Sequence, residues 1–559
     1  MNSKLEQTSS VWMQSGEIVV ATALTADLTT DVCVVGAGIA GLTTAYLLLR
    51  QGKSVVILDD GPVGGGQTER TTAQLSNAID DRYTEIESWH GQDGAKLVAE
   101  SHTAAIDTIE AIVVREKIDC DFERLDGFLF SSPESEPLLL ENELHAARRA
   151  GVTDVQLVQE SPLTSFDTGV CLRFPRQGQF HPRKYLAGVT KAIRGMGGKI
   201  FTETRAEKIE CGPPARVTTH EEFTITATDV VVATNTPFND FVTMHTKQAP
   251  YMSYVLAFQI PRGTVTRALF WDTEDPYHYV RLQYLPANTE AGEPSGESLT
   301  EELLIVGGED HKTGQANDAD ERYARLEAWT RERFPMAGPR CSQWSGQVLE
   351  TMDGLAYIGR NPLDGPNIFI ATGDSGQGMT HGTIAGILLT DLIMERENPW
   401  ASLYDPSRKT LGAAERFVKE NVNVALQYGA WVTGGDLSVT EDIAAGTGAV
   451  VRRGLTKVAA YSDETGTLHV CSAVCPHLGC IVEWNSNEST WDCPCHGSRF
   501  DKNGGLLCGP ANCDLAELTP AMLPQEPLLL AGLRGNKRIQ RRWNPSRALD
   551  RWRDDGGHE

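Results

Sequence analysis

Val32-Cys33-Val34-Val35-Gly36-Ala37-Gly38-Ile39-Ala40-Gly41-Leu42 is the stretch from which the fold can be read. An apolar run leads into G-x-G-x-x-G and then into further apolar residues. This reads as strand, tight turn and helix. Gly36 permits the turn, Gly38 lets the backbone approach a pyrophosphate, and Gly41 lets helix and strand pack closely. The helix start at Ile39 and Ala40 offers free N–H groups and a partial positive charge to phosphate. A second apolar strand, Ser54 to Leu58, ends at Asp59, about 20 residues on, where a carboxylate can accept from both ribose hydroxyls. Glycines alone would be weak evidence. With the strand, the helix and the acid in place they predict a Rossmann-like dinucleotide-binding unit.

The rest of the 559 residues must supply further domains, since so long a chain exceeds one core. A hydrophobic fraction of 40% and a charged fraction of 22% are ordinary for a globular protein. The net charge of -25 disfavours nucleic acid as a partner, because phosphates are repelled. No stretch reads as a secretory signal or a membrane span, so a cytoplasmic location is expected. Five of the twelve cysteines are scattered (Cys33, Cys120, Cys171, Cys211, Cys341), and seven crowd between Cys471 and Cys513. Such a crowd with histidines interleaved points to a metal site rather than a disulfide framework.

Strand-like and helix-like segments alternate up to Met394, which suggests a parallel α/β module with a more antiparallel domain inserted in it. The expected organisation begins with an N-terminal extension, 1–27. A nucleotide-binding part follows at about 28–90, 166–240 and 345–400, with an inserted substrate part at about 91–165 and 241–344. A helical connecting arm covers 401–430, a small β domain 431–525, and a basic tail 526–559. The tail carries eight Lys/Arg from Arg534 to Arg553 against one acid, Asp550.

A single fingerprint at the front of the module favours FAD over NAD. A second Gly-rich turn, Gly373-Asp374-Ser-Gly376-Gln-Gly378-Met379-Thr380-His381-Gly382, opens a helix whose N-terminus could stabilise negative charge on a reduced flavin ring. Residues 28–400 resemble the glycine/D-amino-acid oxidase (DAO) superfamily of FAD enzymes. The matching residues are the fingerprint with Asp59, Gly66-Gln-Thr-Glu-Arg70-Thr71-Thr72-Ala, Asp229-Val-Val-Val-Ala-Thr234-Asn-Thr-Pro, Trp344-Ser-Gly346-Gln and Gly373 to Gly382. The resemblance implies that Asp59 holds the adenosine ribose. It also implies that Arg70, Thr71 and Thr72 line the flavin, that Gly376 to His381 cover its pyrimidine end, and that a sheet domain lies over the flavin face. Attachment is expected to be non-covalent. Cys341 is the nearest candidate for a covalent link, and a lone cysteine is usually inert.

Cys475-Pro-His477-Leu-Gly-Cys480 and Cys493-Pro-Cys495-His496-Gly-Ser498 place C-x-H and C-x-x-H in two loops. Two thiolates, Cys475 and Cys493, would hold one iron, and two neutral imidazoles, His477 and His496, the other. Neutral ligands raise the potential into a range of roughly -150 to +300 mV. A structural zinc site fits this asymmetric spacing poorly. Residues 431–525 resemble the Rieske [2Fe–2S] family, in the variety found in cytochrome bc-type complexes. In that variety the extra cysteine pair, here Cys480 and Cys495, forms a disulfide clamping the loops, and Gly509-Pro510 resembles its proline loop. The chain departs from the high-potential members in having Phe500 where they carry tyrosine.

Together these features imply a small-molecule substrate, an amine or amino acid, giving hydride to flavin. Electrons would then pass singly through the cluster, whose exposed His477 and His496 edge would hand them to an external one-electron acceptor protein. The reverse flow, from an external donor through the cluster to FAD, and a non-catalytic redox-sensing role are the alternatives. No catalytic base is required if the amine binds deprotonated. Tyr251, Tyr254, His278, Arg281, Trp344 and His381 are the candidate substrate contacts.

The resemblance implies that the missing tyrosine hydroxyl removes one donor to a ligand sulfur, and such donors favour the reduced, more negative cluster. Phe500→Tyr is expected to raise the midpoint by some tens of mV, since ~1 kcal/mol corresponds to roughly 40 mV for one electron. An unchanged or lower midpoint in protein-film voltammetry would place residue 500 away from the cluster. Cys493→Ala is expected to abolish the Rieske EPR signal while the flavin absorption persists, and a retained signal would remove Cys493 from the ligands.

Overall fold

The computed structural model describes residues 8–131, 138–239, 243–285, 301–431, 443–453 and 456–518. The basic tail expected at 526–559 lies outside the described residues. The fingerprint folds as read: strand β1 (Leu28–Val35), helix α1 (Ile39–Arg50) and strand β2 (Val55–Leu58). β1 pairs in parallel with β2, Val32 opposite Val55, and with the strand Thr224–Val232, Val32 opposite Asp229. All four residues of β2 are buried, as expected for parallel strands covered on both faces. The sheet runs Tyr357–Arg360, Ile368–Thr372, Thr224–Val232, β1, β2, Lys199–Phe201, with a hairpin of two further strands on Thr224–Val232.

The glycines set the crossing of α1 over β1. Gly36 sits at φ +107, and a Cβ there would meet the Ala233 carbonyl oxygen at 2.4 Å. A Cβ on Gly41 would fall 1.9 Å from the Gly36 oxygen. Helix Gly378–Ile393 packs on α1, and Gly382 and Gly386 allow a similar close approach to Ala40 and Thr43.

The second sheet is largely antiparallel. Its path is Arg340–Thr351, Gln248–Pro261, Glu301–Lys312, His278–Tyr284, Leu269–Trp271, Glu123–Phe130, Cys171–Gln179 and Gln74–Leu75. This corrects the expected boundaries at three places. Cys171–Gln179 and Gln74–Leu75 belong to this sheet although they were expected in the nucleotide-binding part, and Arg340–Thr351 runs through the expected boundary at 344/345. The helical stretch Arg82–Glu116, broken at Gly91 (φ 70), packs on helix Gly378–Ile393 and so lies with the nucleotide-binding part. Sequence alternation identifies strands but not the sheet they join, because sheet membership is set by pairing at a distance.

The N-terminal extension is part of the body. Trp12 is fully buried, its Nε1 donates to the Thr71 carbonyl (2.6 Å), and the Ser10 hydroxyl donates to the Glu69 carbonyl (2.6 Å). The connecting arm forms the helix Ala414–Gln427. Beyond it, Thr447–Arg453, Thr456–Ser462 and Leu468–Ser472 make a three-stranded sheet. Glu483–Asn485, Thr490–Asp492, Arg499–Asp501 and Leu506–Cys508 make a four-stranded one. No helix among the described residues is long and apolar enough to cross a membrane.

Gly41→Ala is expected to destabilise the protein by about 1–3 kcal/mol, the usual range for overpacking against a neighbour that cannot move. The obstructing atom here is backbone. Thermal unfolding and bound-flavin content check this, and a variant matching the parent in both would show that the crossing has slack.

Candidate functional site

A cavity of about 1250 Å³ opens at the C-terminal ends of β1 and β2 and extends under the second sheet. Ligands of open α/β sheets bind at such strand ends. Gly36, Gly38, Ile39, Ala40, Asp59, Arg70, Thr71, Thr72, Gly373, Asp374, Gly376, Gly378, Met379, Thr380 and His381 all line it. Gly41 does not, and instead makes the close helix–strand contact described above.

The chain's own atoms test whether a dinucleotide fits. α1 starts after Gly38, which has no side chain to cap it; Ile39 N–H meets the Thr68 hydroxyl (3.3 Å), and Gly38, Ile39 and Ala40 line the cavity. The Asp59 carboxylate is fixed by the N–H groups of Ala37 (2.6 Å) and Gly61 (2.9 Å). Burial, and then the neighbouring Asp60 charge, pushes its carboxyl up to about 7. The Gly36 cradle, the helix N-terminus and the anchored acid fit FAD. At the other Gly-rich turn, His381 Nδ1 lies 2.9 Å from the Asp374 carbonyl, which can only accept, so Nδ1 carries the proton. Burial lowers the His381 pKa to about 4, so the ring is neutral.

Of the six candidate substrate contacts, His381 lines the cavity and the other five do not. The Tyr251 hydroxyl faces Glu420 on the arm (3.5 Å). Tyr254 packs against Tyr323 and His311 in a separate apolar core. His278 pairs with Asp272 (2.8 Å) and stacks on Trp329. Arg281 is fully buried, donating to the carbonyls of Thr72, Ala73 and Phe180. Trp344 donates to the Arg70 carbonyl (2.9 Å). For two of the five the error is one of strand parity. Ser253 and Val255 line the cavity where Tyr254 does not, and Tyr277 and Tyr279 line it where His278 does not. Neighbouring residues on a strand face opposite ways. Asp80, Trp271 and Gln347 also line the cavity and were not singled out, although Gln347 follows Gly346 in the quoted Trp344 motif. Cys341 lies outside the cavity lining, its thiol donating to the Ala257 carbonyl (3.3 Å).

The two cysteine–histidine loops converge. Cys475 and Cys493 are buried with their thiols within hydrogen-bonding reach of each other. The His477 and His496 ring centroids are 5.0 Å apart, and buried His496 Nδ1 has no hydrogen-bond partner among the described residues. Two thiols and two imidazoles gathered in this way suit a Rieske cluster. The Ser498 hydroxyl reaches the Cys475 sulfur while accepting from Ala511 N–H (3.0 Å) on the proline loop. Cys480 and Cys495 are joined in a disulfide.

The histidine edge is not exposed, contrary to the sequence reading. His477 and His496 are 8% and 7% exposed, and His245 of the first module packs against their rings at 4.7 and 6.1 Å. Residues 506–509, 511 and 512 of the C-terminal module line the cavity. Gln347 Nε2 donates to the Gly497 carbonyl (2.9 Å), and its Oε1 accepts from the Cys508 thiol (3.5 Å). One glutamine side chain therefore joins the cavity wall to the second ligand loop and to the end of the strand Leu506–Cys508.

Residues 31–392 match the model of the FAD dependent oxidoreductase family (DAO), and residues 436–519 that of the Rieske [2Fe-2S] domain. A Bacillus subtilis (strain 168) protein named as a Rieske 2Fe-2S iron-sulfur protein, YhfW, is 32% identical over 512 residues, covering 90% of this chain and 96% of its own. Gamma-glutamylputrescine oxidoreductase of Escherichia coli (strain K12) is 27% identical over 395 residues, covering 68% and 88%. Glycine oxidase from Geobacillus kaustophilus shares the fold of the first module, with a TM-score of 0.54 at 17% identity over 68% of this chain and 99% of its own. The chain belongs to the DAO family of FAD-dependent oxidoreductases and carries a Rieske [2Fe-2S] domain after its FAD module.

Proposed function

We propose that this chain oxidises an amine or amino-acid-like substrate and moves the electrons through its own Rieske domain to an external acceptor. When bound, FAD supplies a two-electron hydride acceptor and the cluster a one-electron carrier. The substrate carbon loses hydride and its nitrogen loses a proton to solvent, leaving an imine; a substrate that arrives as an ammonium ion releases one further proton before the hydride leaves. The observation that carries the reading is the shared wall: residues 506–509, 511 and 512 close the cavity beside Gln347, and Gln347 bonds the loop that bears His496. Burial of the His477 and His496 edge against His245 supports transfer inside the chain rather than from cluster to partner across that edge. The relationship to gamma-glutamylputrescine oxidoreductase supports a nitrogen-bearing substrate.

The residues have separate tasks in this reading. The α1 N-terminus and Asp59 hold the dinucleotide, while Arg70 to Thr72 and the turn at Gly373–His381 enclose the ring. Neutral His381 adds no charge of its own there. Ser253, Val255, Trp271, Tyr277 and Tyr279 cover the substrate side and exclude water, which strengthens any charge interaction inside.

Gln347→Leu removes two hydrogen bonds between the modules. At about 0.5–1.5 kcal/mol each, their loss is expected to lower the docked fraction about tenfold if docking limits transfer. In anaerobic stopped-flow, reduction of the cluster should then lag flavin bleaching by about tenfold more than in the parent. Freeze-quench EPR follows the cluster. An unaltered ratio of the two rates would show that electrons do not cross at Gln347.

A further inference from the structure

We infer that the substrate is a cationic amine bearing no carboxylate beside the reacting carbon, and that Asp80 is the anion that holds it. This rests on the reading above and names the substrate class for the same cavity.

The cavity's second-sheet end is walled by Trp271, Tyr277 and Tyr279, with Ser253 and Gln74 beside them. Asp80 lies deep in the protein, and its exposed surface faces this cavity. Gly376, at φ +72, lets it stand there, because a Cβ at that position would fall 2.1 Å from Asp80 Oδ2. Gln377 supplies a side-chain hydrogen bond, and no lysine or arginine pairs with Asp80 among the described residues. Arg416, which reaches the adjacent Asp81, is engaged by Asp81 (3.3 Å) and Glu350 (3.3 Å).

Asp80 opens onto the cavity rather than being sealed in the core, and a carboxylate enclosed there without a counter-cation favours the arrival of a cation. Burial, then the charges of Asp81 and Asp310, pushes the Asp80 carboxyl up to about 7. A carboxylate close to the aromatic side chains of Tyr277 and Tyr279 is a setting that favours an ammonium group.

The opposite charge finds no such place. Among the described residues a substrate carboxylate would meet no uncommitted arginine or lysine at this end, since the cavity's arginines are engaged elsewhere. Arg70 donates to Ser345 and Thr8 and faces Glu488. Arg183 faces Glu69 and Arg205 faces Asp514. Arg281, named from the sequence as a candidate substrate contact, is sealed among backbone carbonyls. An amino acid entering here would bring an unpaired anion towards Asp80.

The test compares matched ligands on the unaltered holoenzyme under anaerobic conditions. 2-Phenylethylamine is set against phenylalanine of either hand, and butane-1,4-diamine against ornithine of either hand, with flavin bleaching as readout. Benzyltrimethylammonium and benzoate serve as non-oxidisable probes, followed by flavin difference spectra. Each amine is expected to bleach at roughly 100-fold lower concentration than its carboxylated partner. Benzyltrimethylammonium should bind and benzoate should not. Asp80→Asn should weaken the ammonium probe roughly tenfold or more, with flavin content and the Rieske EPR signal as checks on folding. If Asp80→Asn fails to fold, the matched pairs on the parent still decide.

An amino acid that bleaches the flavin as readily as its amine overturns the inference and leaves the oxidoreductase reading standing. Asp80-dependent binding of the ammonium probe with no bleaching by any amine keeps the cation site and removes that reading. No spectral response to any cation overturns the inference.

Discussion

A single buried carboxylate ties the two modules together. Glu488 belongs to the C-terminal module, and its side chain has no exposed surface. It accepts from the hydroxyls of Thr8 and Ser345 and lies 3.8 Å from the Arg70 guanidinium, all three on the first module. Such an anion is tolerable only where its partners are already in place. The docking is therefore specific in position, since sliding the module would strand Glu488, while Arg70 would keep its bonds to Thr8 and Ser345. Arg70 in turn anchors the segment whose Thr71 and Thr72 border the cavity. The C-terminal module thus helps to shape the wall against which the flavin is expected to lie.

The arm reinforces this placement from the other side. Glu420 on its helix pairs with Lys312, and Asn421 reaches the Thr246 carbonyl (3.0 Å). Farther on, Tyr428 and Trp431 donate to the carbonyls of Leu478 and Gly479 (both 2.9 Å), inside the loop that carries His477. The loop's outer side is held by the arm and its inner side by His245. Contacts of this kind limit reorganisation around a redox centre.

The nucleotide-binding unit was legible because its chemistry is local. Gly36, Gly38, Gly41 and Asp59 sit in one strand–helix–strand unit, and their spacing carries the geometry. The ligand loops were legible for the same reason, since C-x-H and C-x-x-H each act within one turn. The substrate side was not. Its wall comes from strands whose facing residues depend on a parity that alternation of aromatic residues does not reveal, so Tyr254 and His278 were named where Ser253, Tyr277 and Tyr279 stand. Arg281 misled because an arginine in a strand looks available until its carbonyl partners, far off in sequence at Thr72 and Phe180, are known. Gln347 and Glu488 carry no motif. Their importance arises from docking between modules, which no local spacing records.

The placement of residues 506–512 has a consequence for how the molecule is put together. These residues belong to one module but close a chamber that belongs to the other. A ligand that fills the chamber and touches its lid favours the closed arrangement. By thermodynamic reciprocity, whatever stabilises the closed arrangement tightens the hold on that ligand by the same factor. A nucleotide that touches residues 506–512 is held more firmly where the C-terminal module is seated, and the module more firmly where such a nucleotide is bound.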